Sequence, residues 1–280
     1  MSDRLVLGVW QGRCADGDLE RNLARAGEVI DEAARAGCDF VCLPETYLSG
    51  YGTRELIERG AMTLGDRRLL DLARRAQDRN LAALVGLTER RGAALWNTVA
   101  VLDGGRVAGA YTKTLLTGGD ARDMGFACDD EIPVFEARGV RFGIQICHDS
   151  SFPEVAAIAA FQGARILFSP HYNRIPFALM NEHRVRVRNN HIGAAVHYGL
   201  VVARSNVVNA DATHLGYGDS AIFAPSGVPL AEAGLFTEAL VTADVGPRLS
   251  DARFRMRVKE LREGLIARWA AAARRAASRA

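Results

Sequence analysis

No stretch of this 280-residue chain approaches the roughly 18 consecutive apolar residues of a membrane-crossing helix, which argues against a helical membrane protein. Cysteine is scarce: Cys14, Cys38, Cys42, Cys128 and Cys147 make an odd count, with no pair at zinc-knuckle spacing. That sets aside a disulfide framework and a structural zinc site, and a reducing, cytoplasmic setting is the expectation. The apolar run at residues 5–10 is too short for a secretory leader and has no small-residue cleavage site. A net charge of +2 leaves no strong global field to steer a partner. Linkers, low-complexity segments and repeats of solenoid period are also missing. What remains is a 49% hydrophobic chain with material for a full-sized core.

Periodicity supplies the organisation. Residues 5–11 read as a buried strand, and Leu19, Leu23, Ala26, Ile30 and Ala33 place a helix over 17–36, ended by Gly37. A strand at 39–45 runs into the glycine-rich loop 48–52; a helix at 66–80 and a strand at 81–88 follow. Strands at 96–102 and 107–113 flank the hairpin turn Asp103-Gly104-Gly105. Residues 114–130 are irregular and rich in Gly and Asp, as a site-lining segment would be. A hairpin of 132–135 with 141–147 comes next, then a helix at 155–162, a strand at 165–169 and a mostly helical run at 177–198. Strands at 200–206, 220–224 and 239–245 close the sheets, and a basic helix runs from 248 to 280. Strand–helix–strand units mixed with hairpins predict an α/β fold of two sheets with helices on their outer faces, a layered sandwich. It is expected as a single domain over 1–280 with the helical extension 248–280. A split into two sub-domains near Gly139 would leave each with a half-covered sheet.

Three polar residues end three apolar strands. Phe142, Ile144 and Ile146 alternate toward a core and lead to Cys147, followed by a polar turn, Pro153 and an alanine-rich helix. Open α/β sheets place ligands at such strand ends, where backbone N–H groups favour a thiolate. Taken alone, Cys147 reads as a buried structural cysteine, Glu45 as a loop carboxylate and Lys113 as a surface lysine. Together they form an acyl-transfer set. Glu45 would take the Cys147 proton, Cys147 would attack a carboxamide or nitrile carbon, and Lys113 with the backbone N–H of His148 would hold the oxyanion.

These segments resemble the nitrilase superfamily of carbon–nitrogen hydrolases. Leu43-Pro44-Glu45 is similar to the family's general-base segment, Tyr111-Thr112-Lys113-Thr114-Leu115-Leu116 to its lysine motif, and Gly143 through Cys147-His148-Asp149 to Pro153-Glu154 to its nucleophile motif. Trp96-Asn97-Thr98 and the segment Gly218-Asp219-Ser220 to Gly227 add further matches in order. The resemblance implies a four-layer αββα sandwich, a homodimer or higher homo-oligomer, and no metal or organic cofactor. In that dimer, helices near the Cys147 turn and in the C-terminal region face the partner. The implied activity is a cysteine-dependent hydrolase of non-peptide C–N bonds in a small linear amide or N-carbamoyl compound, passing through a thioester and releasing ammonia or amine. Cys147-His148-Asp149 resembles the amidase and carbamoyl branches more than the nitrilases. A nitrilase giving acid directly is the enzymatic alternative, and a silent binding or regulatory subunit the alternative of another class.

Two departures stand out. Where relatives often carry a second glutamate after the lysine motif, this chain has Arg122, and either Asp120 or Asp123 would take over the carboxylate's positioning role or the segment is rebuilt. His197-Tyr198 replaces a Glu-Asn pair before the strand at 200–206, with a local rearrangement expected. Tyr51, Asp120, Asp123, Tyr172 and Asn173 are candidate substrate contacts, with loop packing the alternative reading. Glu154 is read first as a helix N-terminal charge, with support for Lys113 as the alternative. Arg184, Arg186 and Arg188 form a solvated face or include a reader of a substrate carboxylate. From Arg248 onward ten Lys/Arg face three Asp/Glu, but without a nucleic-acid module, so a dimer-packing helix is preferred over a nucleic-acid partner.

Overall fold

The apolar runs become strands with two buried faces. The computed structural model describes residues 4–251, 253 and 263–278. In chain order its first half holds β1 (Val6–Gly12), α1 (Leu19–Arg35), β2 (Phe40–Cys42), α2 (Arg54–Arg59), α3 (Arg67–Asp78), β3 (Ala82–Arg91), β4 (Ala94–Asp103), β5 (Arg106–Thr112) and β6 (Phe126–Ala127). The second half holds β7 (Phe135–Ala137), β8 (Val140–Ile144), α4 (Pro153–Phe161), β9 (Ile166–Pro170), β10 (Ile175–Pro176), α5 (Met180–Tyr198), β11 (Val201–Val207), β12 (His214–Leu215), β13 (Ala221–Phe223), β14 (Pro229–Glu232) and β15 (Ala239–Asp244), then α6 (Gly246–Ser250) and α7 (Glu263–Ala277).

Strand pairing gives two layers. One runs β5-β4-β3-β2-β1 with β15 antiparallel to β1; the other runs β7-β8-β9-β11 with β13 and β14 beyond it. They join where β1 pairs with β11 at Gln11↔Asn206 and Gly12↔Val207. Alternation along each strand then sends side chains to different cores. Leu7, Val9, Phe40 and Leu84 meet Phe142, Ile144, Ile166, Phe168 and Val201 between the layers. On one outer face, Val6, Val41 and Val85 pack under Leu23, Ala26 and Ile30 of α1 and Leu69 and Ala73 of α3. On the other, Leu167 and Val202 pack under Ala156 and Ala159 of α4 and Ala195 of α5. This is the αββα layering that the motifs implied.

Several boundaries move. The strand expected at 39–45 stops at Cys42, because Leu43 makes one last bond to Leu84 O and Thr46 then adopts φ 43°. The strand expected at 132–135 lies instead at Phe135–Ala137, while Ile132 and Val134 pack as loop residues against the α4/α5 core. The irregular segment holds one wide helical turn, Gly119–Asp123, and the short β6. The short α2 and the hairpin turn between Arg91 and Ala94 were not expected; both are too short to show periodicity. The basic helix expected from 248 onward is α6 and α7; residues 252, 254–262 and 279–280 lie outside the described residues.

Two glycines set the approach of elements that carry the site. A Cβ on Gly86 of β3 would lie 2.2 Å from Pro44 O and 2.6 Å from Thr46 N, so the backbone around Glu45 can cross β3 only over a glycine. A Cβ on Gly143 of β8 would lie 2.8 Å from the Ala159 methyl, so α4 presses directly on the strand that leads to Cys147.

Candidate active site

Glu45, Lys113 and Cys147 come from three separate strand ends, and the fold gathers them. Glu45 and Lys113 are buried, and Lys113 Nζ lies 2.8 Å from Glu45 Oε1. The same Glu45 oxygen accepts from Asn97 Nδ2 at 2.8 Å, and Oε2 accepts from Tyr172 N at 2.7 Å. The carboxylate is thus held at both oxygens by three donors from β4, the end of β5 and the segment after β9. Asn97 belongs to a segment that matches the family, yet nothing in its sequence context marks it as a partner of Glu45. Its function depends on β4 standing beside β5: Lys113 N donates to Asn97 O at 2.9 Å.

Asp120 settles which aspartate faces the lysine. Its Oδ2 lies 2.8 Å from Lys113 Nζ and also accepts from Thr117 N and Oγ1, while Oδ1 accepts from Tyr51 OH at 2.9 Å. Asp123 is exposed at the cavity rim, and Arg122 is likewise exposed. Burial alone would lower the Lys113 pKa, but the Glu45 and Asp120 charges outweigh it and hold it well above the usual range. Burial alone would raise Asp120, and the Lys113 charge pulls it below the ordinary carboxylate value. Removing one member of such a buried ionic set typically costs about 3–5 kcal/mol, because the others lose their compensation.

Cys147 follows β8 at φ 47°, a strained conformation for a residue with a side chain. Asp149 builds the turn that imposes it. Asp149 Oδ2 accepts from Ile146 N at 2.7 Å and Tyr111 OH at 2.8 Å, and Oδ1 accepts from Leu115 N at 2.9 Å. The Cys147 turn is therefore tied to both sides of the lysine segment through one carboxylate. Burial pushes Asp149 up to about 6. Ser150 Oγ donates to Cys147 O at 2.6 Å. His148 follows at the first helical turn, where N–H groups have no intrahelical acceptor. Burial, then the facing Glu45 charge, pushes the Cys147 thiol well above its ordinary range, so it rests protonated.

Behind the sulfur is a fixed amide. Asn173 Nδ2 points at Cys147 Sγ at 3.8 Å. Its orientation is set from the other end, where Oδ1 accepts from Arg204 Nη2 at 2.8 Å and Asn206 Nδ2 at 2.9 Å. Arg204 is buried and donates to the backbone oxygen of Asp219. Sequence reasoning missed Arg204, although a charged residue inside the apolar run 200–206 was a usable signal. Beside Asn173, His171 and His191 share the Ser169 hydroxyl at 3.2 and 2.8 Å, and burial keeps both imidazoles neutral, His191 at about 3.

A cavity of about 430 Å³ opens onto Cys147, with His148, Tyr51, Tyr172, Asn173 and Asp123 in its wall. Tyr51 and Tyr172 stack with centroids 5.3 Å apart, giving the aromatic side. The Tyr172 hydroxyl is bonded to Asp16 at 2.7 Å and Asn209 at 2.7 Å, so its ring rather than its hydroxyl faces the cavity. Glu154 does not join the set. It stands in the first turn of α4, and the carboxylates that pair with Lys113 among the described residues are Glu45 and Asp120. Glu154 keeps its preferred place as a helix N-terminal charge, and the alternative that it supports Lys113 is corrected: Asp120 meets Lys113 because its loop returns beside the end of β5. His197 and Tyr198 end α5, whose stop is Gly199 at φ 64°.

Comparison with known proteins bears on the family and the fold. The family described as carbon-nitrogen hydrolase matches residues 7–254. A relative from Pseudomonas protegens named "Hydrolase in pqqF 5' region" is 32% identical over 235 residues, covering 83% of this chain and 79% of the relative. The N-carbamoylputrescine amidase of Solanum tuberosum is 28% identical, with 86% of each chain covered. The crystal structure of an amidase from Nesterenkonia sp. superposes with a TM-score of 0.76 at 22% identity, covering 95% of this chain and 96% of that one.

Proposed function

Because this chain belongs to the carbon–nitrogen hydrolase family, we propose that it hydrolyses a small linear amide or N-carbamoyl compound, with Cys147 as nucleophile, Glu45 as general base and acid, and Lys113 as oxyanion donor. The observation that carries the reading is the buried Glu45–Lys113 contact of 2.8 Å beside a thiol that opens on the cavity. Glu45 accepts the thiol proton as sulfur bonds to the carbonyl carbon. Two donors of the Lys113 ammonium are taken by Glu45 and Asp120, which leaves a third for the oxyanion beside the His148 N–H. As the C–N bond breaks, Glu45 returns its proton to nitrogen and an amine or ammonia leaves. Glu45 then takes a proton from water, the new C–O bond forms, the C–S bond breaks, and the thiol is restored with an acid as product.

The test is ammonia release from linear amides, N-carbamoyl compounds and nitriles, repeated with hydroxylamine present. A thioester is intercepted as a hydroxamate at the expense of acid. Amide turnover with hydroxamate formation supports the reading; nitriles as the best substrates would move it to the nitrilase branch. Acid formation that hydroxylamine never diverts would remove the thioester.

The same proposal includes a homodimer. Phe152 at the start of α4, Ile158 and Phe161 of α4, and Val185 and Val196 of α5 are exposed, on two helices that pack on each other and on the Cys147 turn. Exposed apolar side chains clustered in this way favour a protein partner, and a second copy offers the same face in self-complementary form. Light scattering is expected to give the mass of two chains or a multiple of it; a monomer at micromolar concentration would overturn this part.

A further inference from the structure

We propose that the substrate carries a carboxylate at the end remote from the scissile bond, and that Arg186 receives it. This rests on the amidase reading above and names the substrate class of that site.

Most cations around the cavity already have their counter-charge. Lys113 is bonded to Glu45 and Asp120. Arg174, in the cavity wall, is bonded to Asp211 at 2.6 Å. On α5, Arg184 and Arg188 both reach Asp219, at 3.1 and 2.6 Å. Arg186 lies between them in sequence but faces elsewhere: it lines the Cys147 cavity and forms no ion pair among the described residues. The three alternating arginines thus divide into two that brace the fold and one left over at the site.

The neighbours of Arg186 suit an anion. His148 and His183 line the same cavity. Burial lowers both, with the Lys113 charge next at His148 and the Arg186 charge next at His183, which falls to about 4, so both are neutral imidazoles at neutral pH. His183 Nδ1 is engaged with Tyr217 OH at 3.0 Å, which fixes the ring at the cavity wall. One wall therefore presents a guanidinium and two imidazoles. Glu45 and Asp120 share the single Lys113 ammonium, so that buried set keeps one negative charge at the scissile end, away from the cavity lining, where Asp123 is the acid, exposed in the wide turn Gly119–Asp123. A planar guanidinium matches a carboxylate in two parallel hydrogen bonds, which a neutral or cationic chain end cannot supply. A cavity of about 430 Å³ leaves room for a short chain between the scissile carbonyl and that end.

The experiment compares kcat/KM for succinamate and N-carbamoyl-β-alanine (anionic), butyramide (neutral) and 4-aminobutyramide (cationic). Wild type is expected to prefer the anionic pair by about ten- to hundred-fold, the effect of a charged hydrogen bond. In Arg186→Gln the loss for succinamate should exceed the loss for butyramide by about ten-fold or more, mostly through KM, and Arg186→Lys should recover part of it. Calorimetry of succinamate with Cys147→Ala, with and without Arg186→Gln, reads the same contact without turnover. Equal turnover of the three charge types, or a preference for 4-aminobutyramide through Asp123, would overturn the proposal and leave the amidase reading standing. No turnover of any amide, with no succinamate binding, would overturn both.

Discussion

Cys147→Ala is expected to release no measurable ammonia from any amide the wild type hydrolyses, a loss on the order of 10⁴-fold or more, with the fold intact. Among the described residues Cys147 is the thiol that lines the cavity: Cys14, Cys38 and Cys42 are buried and raised by burial, and Ser150 commits its hydroxyl to Cys147 O. The substitution is structurally mild for a specific reason. The φ of 47° is imposed by the Asp149 turn, and alanine carries the same strain as cysteine there, because both have a Cβ. Without the sulfur, Asn173 Nδ2 gives up only a weak 3.8 Å interaction, and that amide then faces the cavity rather than a dry interior. Thermal unfolding should therefore shift little while turnover disappears. Turnover that survived at more than about a thousandth of wild type would sink the nucleophile assignment. Wild type that is itself inert on every amide, with Cys147→Ala identical to it in all assays, is the outcome that a silent binding subunit predicts.

The parts of this site that could be read in the sequence are those whose position follows from local pattern. Cys147 stands where the Phe142–Ile144–Ile146 alternation stops, and Glu45 and Lys113 likewise end apolar runs, so a strand-end argument finds all three. Their supports were harder to see because they depend on which strands become neighbours. Asn97 reaches Glu45 only because β4 lies beside β3 and β5. Asp149 could be quoted as part of a motif, but its bonds to Tyr111 and Leu115 cross from one layer of the sandwich to the other. The choice between Asp120 and Asp123 turned on a wide helical turn that has no periodic signature. Glu154 stands where its helix N-terminal reading puts it, in the first turn of α4, and Asp120 rather than Glu154 meets Lys113. The layering was legible because mixed strand–helix units and hairpins leave few alternatives, and the two-faced burial of β1, β2 and β3 explains why those runs show little polar alternation.

Glu45→Gln is expected to move two readouts in opposite directions: amide turnover falls by roughly 10²- to 10⁴-fold, while alkylation of Cys147 by iodoacetamide at neutral pH becomes faster. The first follows from loss of the group that takes the thiol proton and returns one to nitrogen. The second follows from the causes that hold the thiol protonated. Burial comes first, the Glu45 charge raises it further, and Lys113 acts against both. Removing the negative charge leaves Lys113, still held by Asp120 at 2.8 Å, as the dominant charge beside the sulfur, so the thiol pKa falls and the thiolate fraction at pH 7 rises. A Cys128→Ser background removes the exposed competing thiol. The substitution also has a structural cost. Glutamine keeps one acceptor oxygen for Lys113 and Asn97 and sets its amide nitrogen against the Tyr172 N–H, a donor facing a donor, which costs about 1–3 kcal/mol. A lowered Tm is therefore expected and cannot by itself explain lost turnover, because a merely disordered site would slow turnover without bringing the alkylation profile to lower pH. If turnover and alkylation fall together, Glu45 is a scaffold for Lys113 and the proton must leave the thiol by another route; if they part, the carboxylate that keeps the nucleophile protonated at rest is also the base that activates it.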